Sequence, residues 1–185
     1  MHAKLRTILI LTLGCAGTAV AREAPGPSFV DQSMDANHPL VQRINELKAD
    51  EEIGLRYFQS GNYGKAYTAL AATAAEGFKQ SQHAMAMMYL EGKGVAQHQL
   101  KGIALLGLVA ESGHRSAKRE YNKALKKFPK RERAIVEKQA AWYIARYGME
   151  AQGVTCVRNK KAFSHFADIE CTKMPGDYRV YDWTP

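Results

Sequence analysis

Tyr89-Leu90-Glu91-Gly92-Lys93-Gly94-Val95 is the stretch on which the reading of this chain turns, with Lys101-Gly102 and Ala110-Glu111-Ser112-Gly113 downstream of it. Paired glycines between two helix-forming runs mark a tight reversal, because glycine enters positive-φ conformations without steric cost. A degenerate copy precedes it: Ile53-Gly54 and Tyr57, then Gly61-Asn62, Lys65-Ala66 and Ala74-Ala75-Glu76-Gly77. Lys65 and Lys101, like Gly77 and Gly113, are separated by about 36 residues, a period characteristic of helix-pair solenoids. Stacked helix pairs of this kind offer a binding surface rather than catalytic machinery.

Working outward, the first helix is expected from about 40 to 60. Its apolar positions Val41, Ile44, Leu47, Ile53, Tyr57 and Phe58 recur at helical spacing, with drift around Asp50-Glu51-Glu52. Ser60-Gly61-Asn62 stops it, and an alanine-rich helix follows from Tyr63 to Ala75, with Gly77 as a left-handed cap. The second pair runs over Gln82–Leu90 and Gln97–Glu111 and closes near Gly113; Met85, Met87 and Met88 read as core filler. A weaker third pair is expected over Ser116–Phe128 and Lys130–Tyr147, divided by Pro129 and stopped by Gly148. Beyond it, short β-rich runs imply two or three antiparallel strands, with Tyr181 and Trp183 sharing a face that either packs on the last helix near Trp142 or forms a contact for another protein. The expected architecture is mostly α: a short α-solenoid of about three antiparallel helix pairs over residues 40–148. A small β appendix over 149–185 would complete it.

The start of the chain reads as an address. Lys4 and Arg6 precede the apolar Ile8-Leu9-Ile10-Leu11-Thr12-Leu13, and Ala19-Val20-Ala21 supplies small residues for cleavage, so residues 1–21 are expected to be a signal peptide. The alternative is a lipoprotein leader ending at Leu13-Gly14-Cys15, with Cys15 acylated; Thr12 and Leu13 fit that pattern poorly. The apolar run falls short of the roughly 20 residues that span a bilayer. Residues 22–39, with Pro25-Gly26-Pro27, read as a flexible lead-in. Cleavage after Ala21 leaves Cys156 and Cys171, which an oxidising export compartment would join. Closing a loop of about 15 residues is worth roughly 3 kcal/mol through the unfolded state. The implied location is periplasmic or secreted.

Residues 84–113 resemble a Sel-one-like repeat, a tetratricopeptide relative with a glycine-rich turn. The matching positions are Tyr89, Gly92, Gly94, Val95, Lys101, Ala110, Glu111 and Gly113, and the earlier copy keeps Gly54, Tyr57 and Gly77. Met85-Ala86, His98, Gly102 and Val109 depart from the family pattern. The resemblance covers about residues 45 to 125 and implies an adaptor that holds complexes through a concave face. Exported members of the family include a flagellar-motor component, an alternative role for this chain.

The formal net charge is +8 and its excess is concentrated. Arg115, Lys118, Arg119, Lys123, Lys126, Lys127, Lys130, Arg131 and Arg133 face only Glu120 and Glu132 in the same segment. Such a segment steers acidic partners, anionic envelope polymer or lipid among them, or is simply a solvated helical face. Nucleic acid is not expected as a partner of an exported chain lacking interleaved stacking aromatics. His83, His98, His114 and His165 lack metal-ligand spacing, so no metal or other cofactor is expected. Ser164-His165 with Asp168 has the residue types of a hydrolytic triad, yet adjacency along a strand does not make its members converge. No phosphate-binding loop, dinucleotide fingerprint or Cys-x-x-Cys dithiol is present. The expected function is therefore non-enzymatic: an adaptor holding another envelope protein in a helical-repeat groove tuned by the basic segment.

Overall fold

The computed structural model describes residues 35–160 and 167–185, so the leader with Cys15, most of the lead-in, and Ser164 with His165 lie outside the described residues. Among the described residues six helices are formed in order: α1 Pro39–Gln59, α2 Tyr63–Ala75, α3 Lys79–Glu91, α4 Gln99–Ala110, α5 Arg115–Leu125 and α6 Lys130–Tyr147. Two strands follow, β1 Val154–Lys160 and β2 Ala167–Lys173. The chain is thus mostly helical, a short solenoid of helix pairs with a disulfide-linked β appendix. Among the described residues no helix is long and apolar enough to cross a membrane.

Local chemistry sets the boundaries. Pro39, with its fixed φ, opens α1 behind His38, whose ring accepts the Leu40 amide at 3.3 Å. The turn glycines adopt the left-handed conformation at the first four reversals: Gly61 after α1, Gly77 after α2, Gly92 and Gly94 after α3, Gly113 after α4. Gly94 also has no room for a side chain, since a Cβ there would lie 2.6 Å from that of Tyr63 in the preceding turn. Gly54 is a close-approach point within α1, where a Cβ would meet Leu70 of α2 at 2.6 Å.

The centre of the molecule is α4, buried continuously from Gly102 to Ala110, as a helix surrounded on all sides must be. Its Leu105 and Leu108 are fully covered, each contributing roughly 2 kcal/mol of burial. Met85 and Met88 sit in the core with Ala66, Leu70 and Ala74. The third pair is arranged differently from the first two. Helix α6 packs chiefly on α4, and Gly107 is where both neighbours close in, a Cβ there meeting Ala140 at 2.8 Å and Tyr121 at 3.1 Å.

The strands pair antiparallel, with Cys156 directly opposite Cys171 and the two sulfurs bonded. Val154 and Lys173, opposite each other, turn their face of the hairpin onto the helices, while Thr155 and Thr172 face outward. Val154 and Gln152 pack against Gly77. The Lys173 ammonium is buried and fully used: it donates to the Glu76 carbonyl (3.0 Å), the Gln152 carbonyl (2.9 Å) and the Glu76 carboxylate (3.0 Å).

Residues 174–185 form no third strand. Their backbone is instead held by side chains of the helical domain: the Tyr147 hydroxyl donates to Asp182 O (2.7 Å) and Gln152 Nε2 to Arg179 O (3.0 Å). Trp183 lies 4.9 Å from Tyr147, centroid to centroid, and Tyr181 meets the same ring edge-on. The aromatic tail therefore packs on α6, as its composition suggested, but on Tyr147 rather than on Trp142. Trp142 stays 40% exposed under the Arg146 guanidinium.

Removing Lys173 leaves the buried Glu76 carboxylate with the more distant, solvated Arg43 beside it, so Lys173→Met is expected to cost about 3 kcal/mol in urea unfolding, with Lys173→Met/Glu76→Leu regaining at least half of it. A single-variant loss below about 1 kcal/mol would show that the pair is not a clamp. Replacing both cysteines by serine is expected to cost about 3 kcal/mol and to remove hydrogen-exchange protection from β1 and β2 while α2 to α4 keep theirs.

Candidate functional site

The first helices of the successive pairs, α1, α3 and α5, wall an open groove of about 930 Å³, and the hairpin borders it. Leu55 and Phe58 come from α1, Phe78 from the turn before α3, and Ile169 from β2, giving the groove half-buried apolar surface. His83 on α3 and Glu120 on α5 bridge two of its walls at 2.9 Å. Glu51 on α1 reaches the start of α3, accepting the Ser81 amide at 2.9 Å and the Ser81 hydroxyl at 2.8 Å.

Two buried ammonium groups line the groove, and both are compensated from beneath. Lys79 donates to Gln82 Oε1 at 2.9 Å and to the Glu111 carboxylate, while Lys173 is held by Glu76. Burial draws both below the ordinary lysine value, against the pull of the paired glutamates. What remains is acidic: Glu51, Glu52, Glu120 and Glu170 face one uncompensated ammonium in the groove, that of Lys48. A chain of net charge +8 thus has an acidic concave face.

The repeat-signature residues are structural. Lys65 lies over the Tyr57 ring at 5.6 Å, and Lys101 over the Tyr89 ring at 4.9 Å, so both copies pair the same lysine with the same tyrosine. Tyr89 also shares a hydroxyl contact with Tyr67 (3.3 Å), and Val95 packs against both core clusters. Ala110 is buried at the end of α4. Glu111 holds Lys79 and accepts the Met149 amide at 2.7 Å, fixing the exit of α6. Gly77 and Gly113 underlie the hairpin, with Ile169 3.8 Å from a Cβ built on Gly113. Cys171 borders the groove and Cys156 secures it from behind.

The basic segment lies elsewhere. None of its nine cations lines the groove, which separates charge from cavity where the sequence suggested that one tunes the other. Arg115, Lys118, Arg119, Lys123, Lys126, Lys127, Lys130 and Arg131 are exposed on α5, the following turn and the start of α6, and among the described residues none is paired with a carboxylate. Arg133 is different: it donates to Phe128 O (2.7 Å) and Lys126 O (3.1 Å), closing the end of α5, and so belongs to the fold rather than to a free patch.

The histidines have local tasks. His98 caps α4 by accepting the Lys101 amide at 3.2 Å, and His114 contacts Ser116 at 2.8 Å at the start of α5. That Ser–His contact borders the groove, but among the described residues no carboxylate orients the ring, as nucleophile activation requires. No protein-family model, curated protein or solved structure matches this chain.

Sequence reasoning passed over the groove residues, because their spacing within each helix is unremarkable and only the stacking of helices unites them. One signal was present. The acidic Asp50-Glu51-Glu52 interrupts the apolar period of α1 where the helix faces the groove instead of α2.

Glu51 has a measurable signature. Burial raises its carboxyl above the ordinary 4.5, outweighing the two bonds from Ser81. A raised folded-state value means the ionised group opposes folding above that value, and the opposition vanishes once pH falls below the unfolded value. Glu51→Gln is therefore expected to raise Tm by a few degrees at pH 7 and to leave it unchanged below the ordinary glutamate range, as read by scanning calorimetry. A lowered Tm at pH 7 would contradict this account.

Proposed function

We propose that this protein is an exported, non-enzymatic adaptor of the Sel-one-like class that holds an envelope protein by a polypeptide segment laid in the concave groove. The observation that carries the reading is the groove itself, walled by the first helix of each pair and left open while the second helices pack together as core. The residues Tyr57 with Lys65 and Tyr89 with Lys101 support family membership, since each copy sets its lysine over its tyrosine, and Glu76 and Glu111 each close a second helix while holding a buried lysine from elsewhere in the chain. Export is supported by the leader pattern and by the Cys156–Cys171 bond, which a reducing cytosol would not maintain.

A second reading rests on the eight exposed cations of α5, the adjoining turn and α6, which would grip anionic envelope polymer or lipid. Ionic strength separates the two, because a polyanion contact weakens steeply with salt and an apolar groove contact does not.

The test is a photo-crosslinking residue placed in the envelope-localised protein at Gln80, which is exposed and lines the groove, or at Ala141, exposed on α6. One discrete protein adduct from Gln80 and none from Ala141 is the expected result. Adducts from a probe at Lys123 alone, lost in high salt, would favour the polyanion reading instead.

A further inference from the structure

We propose that the segment held in the groove is an extended, cationic stretch of a partner polypeptide, with Lys or Arg side chains interspersed among apolar ones. This rests on the groove being the binding face and adds the chemistry of what lies in it.

Charge complementarity decides the occupant. The four groove carboxylates come from three separate elements: Glu51 and Glu52 from α1, Glu120 from α5 and Glu170 from β2, and none of them is paired with a lysine or arginine among the described residues. They are therefore spread around the cavity, and among the described residues no three acidic or imidazole groups converge where one metal ion could sit. Between them lie Leu55, Phe58 and Phe78, so a ligand must bring apolar surface as well as distributed positive charge. A chain of alternating basic and apolar side chains meets both demands, since successive side chains of an extended strand point to opposite sides. The partners already present reinforce the choice. Among the described residues Glu52 has no hydrogen-bond partner, Glu170 only the Asn159 amide at 3.0 Å, and Glu120 only His83. Among the same residues Glu51 is bonded to Ser81 alone, and its raised carboxyl value marks a site where an added cation would be favoured. Among the described residues the one unpaired ammonium lining the groove, that of Lys48, is exposed, where solvent screens it.

The experiment uses the disulfide-intact protein and a fluorescein-labelled decapeptide of alternating Arg and Val, with a matched peptide carrying Glu for Arg, read by fluorescence anisotropy. The Arg peptide is expected to bind and the Glu peptide not. Glu52→Gln/Glu120→Gln/Glu170→Gln, all at exposed positions, is expected to weaken the Arg peptide about tenfold or more with Tm unchanged. Glu132→Gln/Glu137→Gln/Glu150→Gln, equal in charge but outside the groove, is expected to leave affinity unaltered. Equal binding of both peptides, or equal losses in both triple variants, overturns the proposal. Self-association in sedimentation velocity that the groove variant abolishes also overturns it, making a second copy's basic helix the occupant. A Gln80 crosslink that persists while the Arg peptide fails to bind sinks the charge assignment and spares the adaptor function; loss of the crosslink itself sinks both.

Discussion

Two glutamates at the same place in successive repeats hold this molecule together. Glu76 and Glu111 each close a second helix, and each is buried against a lysine delivered from elsewhere, Lys173 from β2 and Lys79 from α3. Charges out of water are expensive, and such pairs contribute registry more than net stability. Here the registry is specific. Glu111 fixes α3 against α4 and, through the Met149 amide, the exit of α6, while Glu76 fixes the hairpin against α2. Gln82 adds a third buried seam, its amide donating to Ala74 O and Tyr147 O. Hydrophobic burial compacts the helices; these polar contacts choose one arrangement among the compact ones.

That division separates fold from function along the chain. Residues that repeat at the solenoid period, the glycines, the Lys–Tyr pairs and the closing glutamates, are consumed in packing. Residues that do not repeat, such as Glu51, Phe58, His83 and Glu120, are the ones left facing the groove. The charge balance divides likewise, with cations on α5 and the start of α6 and carboxylates on the concave side. Opposite potentials on two faces of one small molecule orient it toward partners before contact.

Helix boundaries were legible because each is written in local chemistry: Pro39, Gly61, Gly92 and Pro129 act on their own neighbours. The Cys156–Cys171 bond was legible from parity and compartment. The placement of α6 was not, since its partner is chosen by Gly107, a residue on α4 with no mark in its own sequence context. The tail misled in a different way. Tyr181 and Trp183 alternate like a strand, yet the hydroxyl of Tyr147 and the amide of Gln152 take up backbone groups of this segment instead. Arg133 was grouped with its basic neighbours because sequence reports charge, and only the folded turn shows its guanidinium bonded to backbone carbonyls. A groove was expected from the repeats, but the residues lining it were beyond reach for the same reason: they belong to no one segment.

The bond between Lys173 and Glu76 joins positions 97 residues apart, and this has a temporal side. A polypeptide threaded N-terminus first, whether from a ribosome or through a translocation channel, exposes Glu76 long before residue 173 emerges. Until then the carboxylate has only the Arg43 side chain, 3.7 Å away and largely in water. The lock between Lys173 and Glu76 therefore cannot close before residue 173 has emerged, and a contact of such sequence separation carries a high closure entropy.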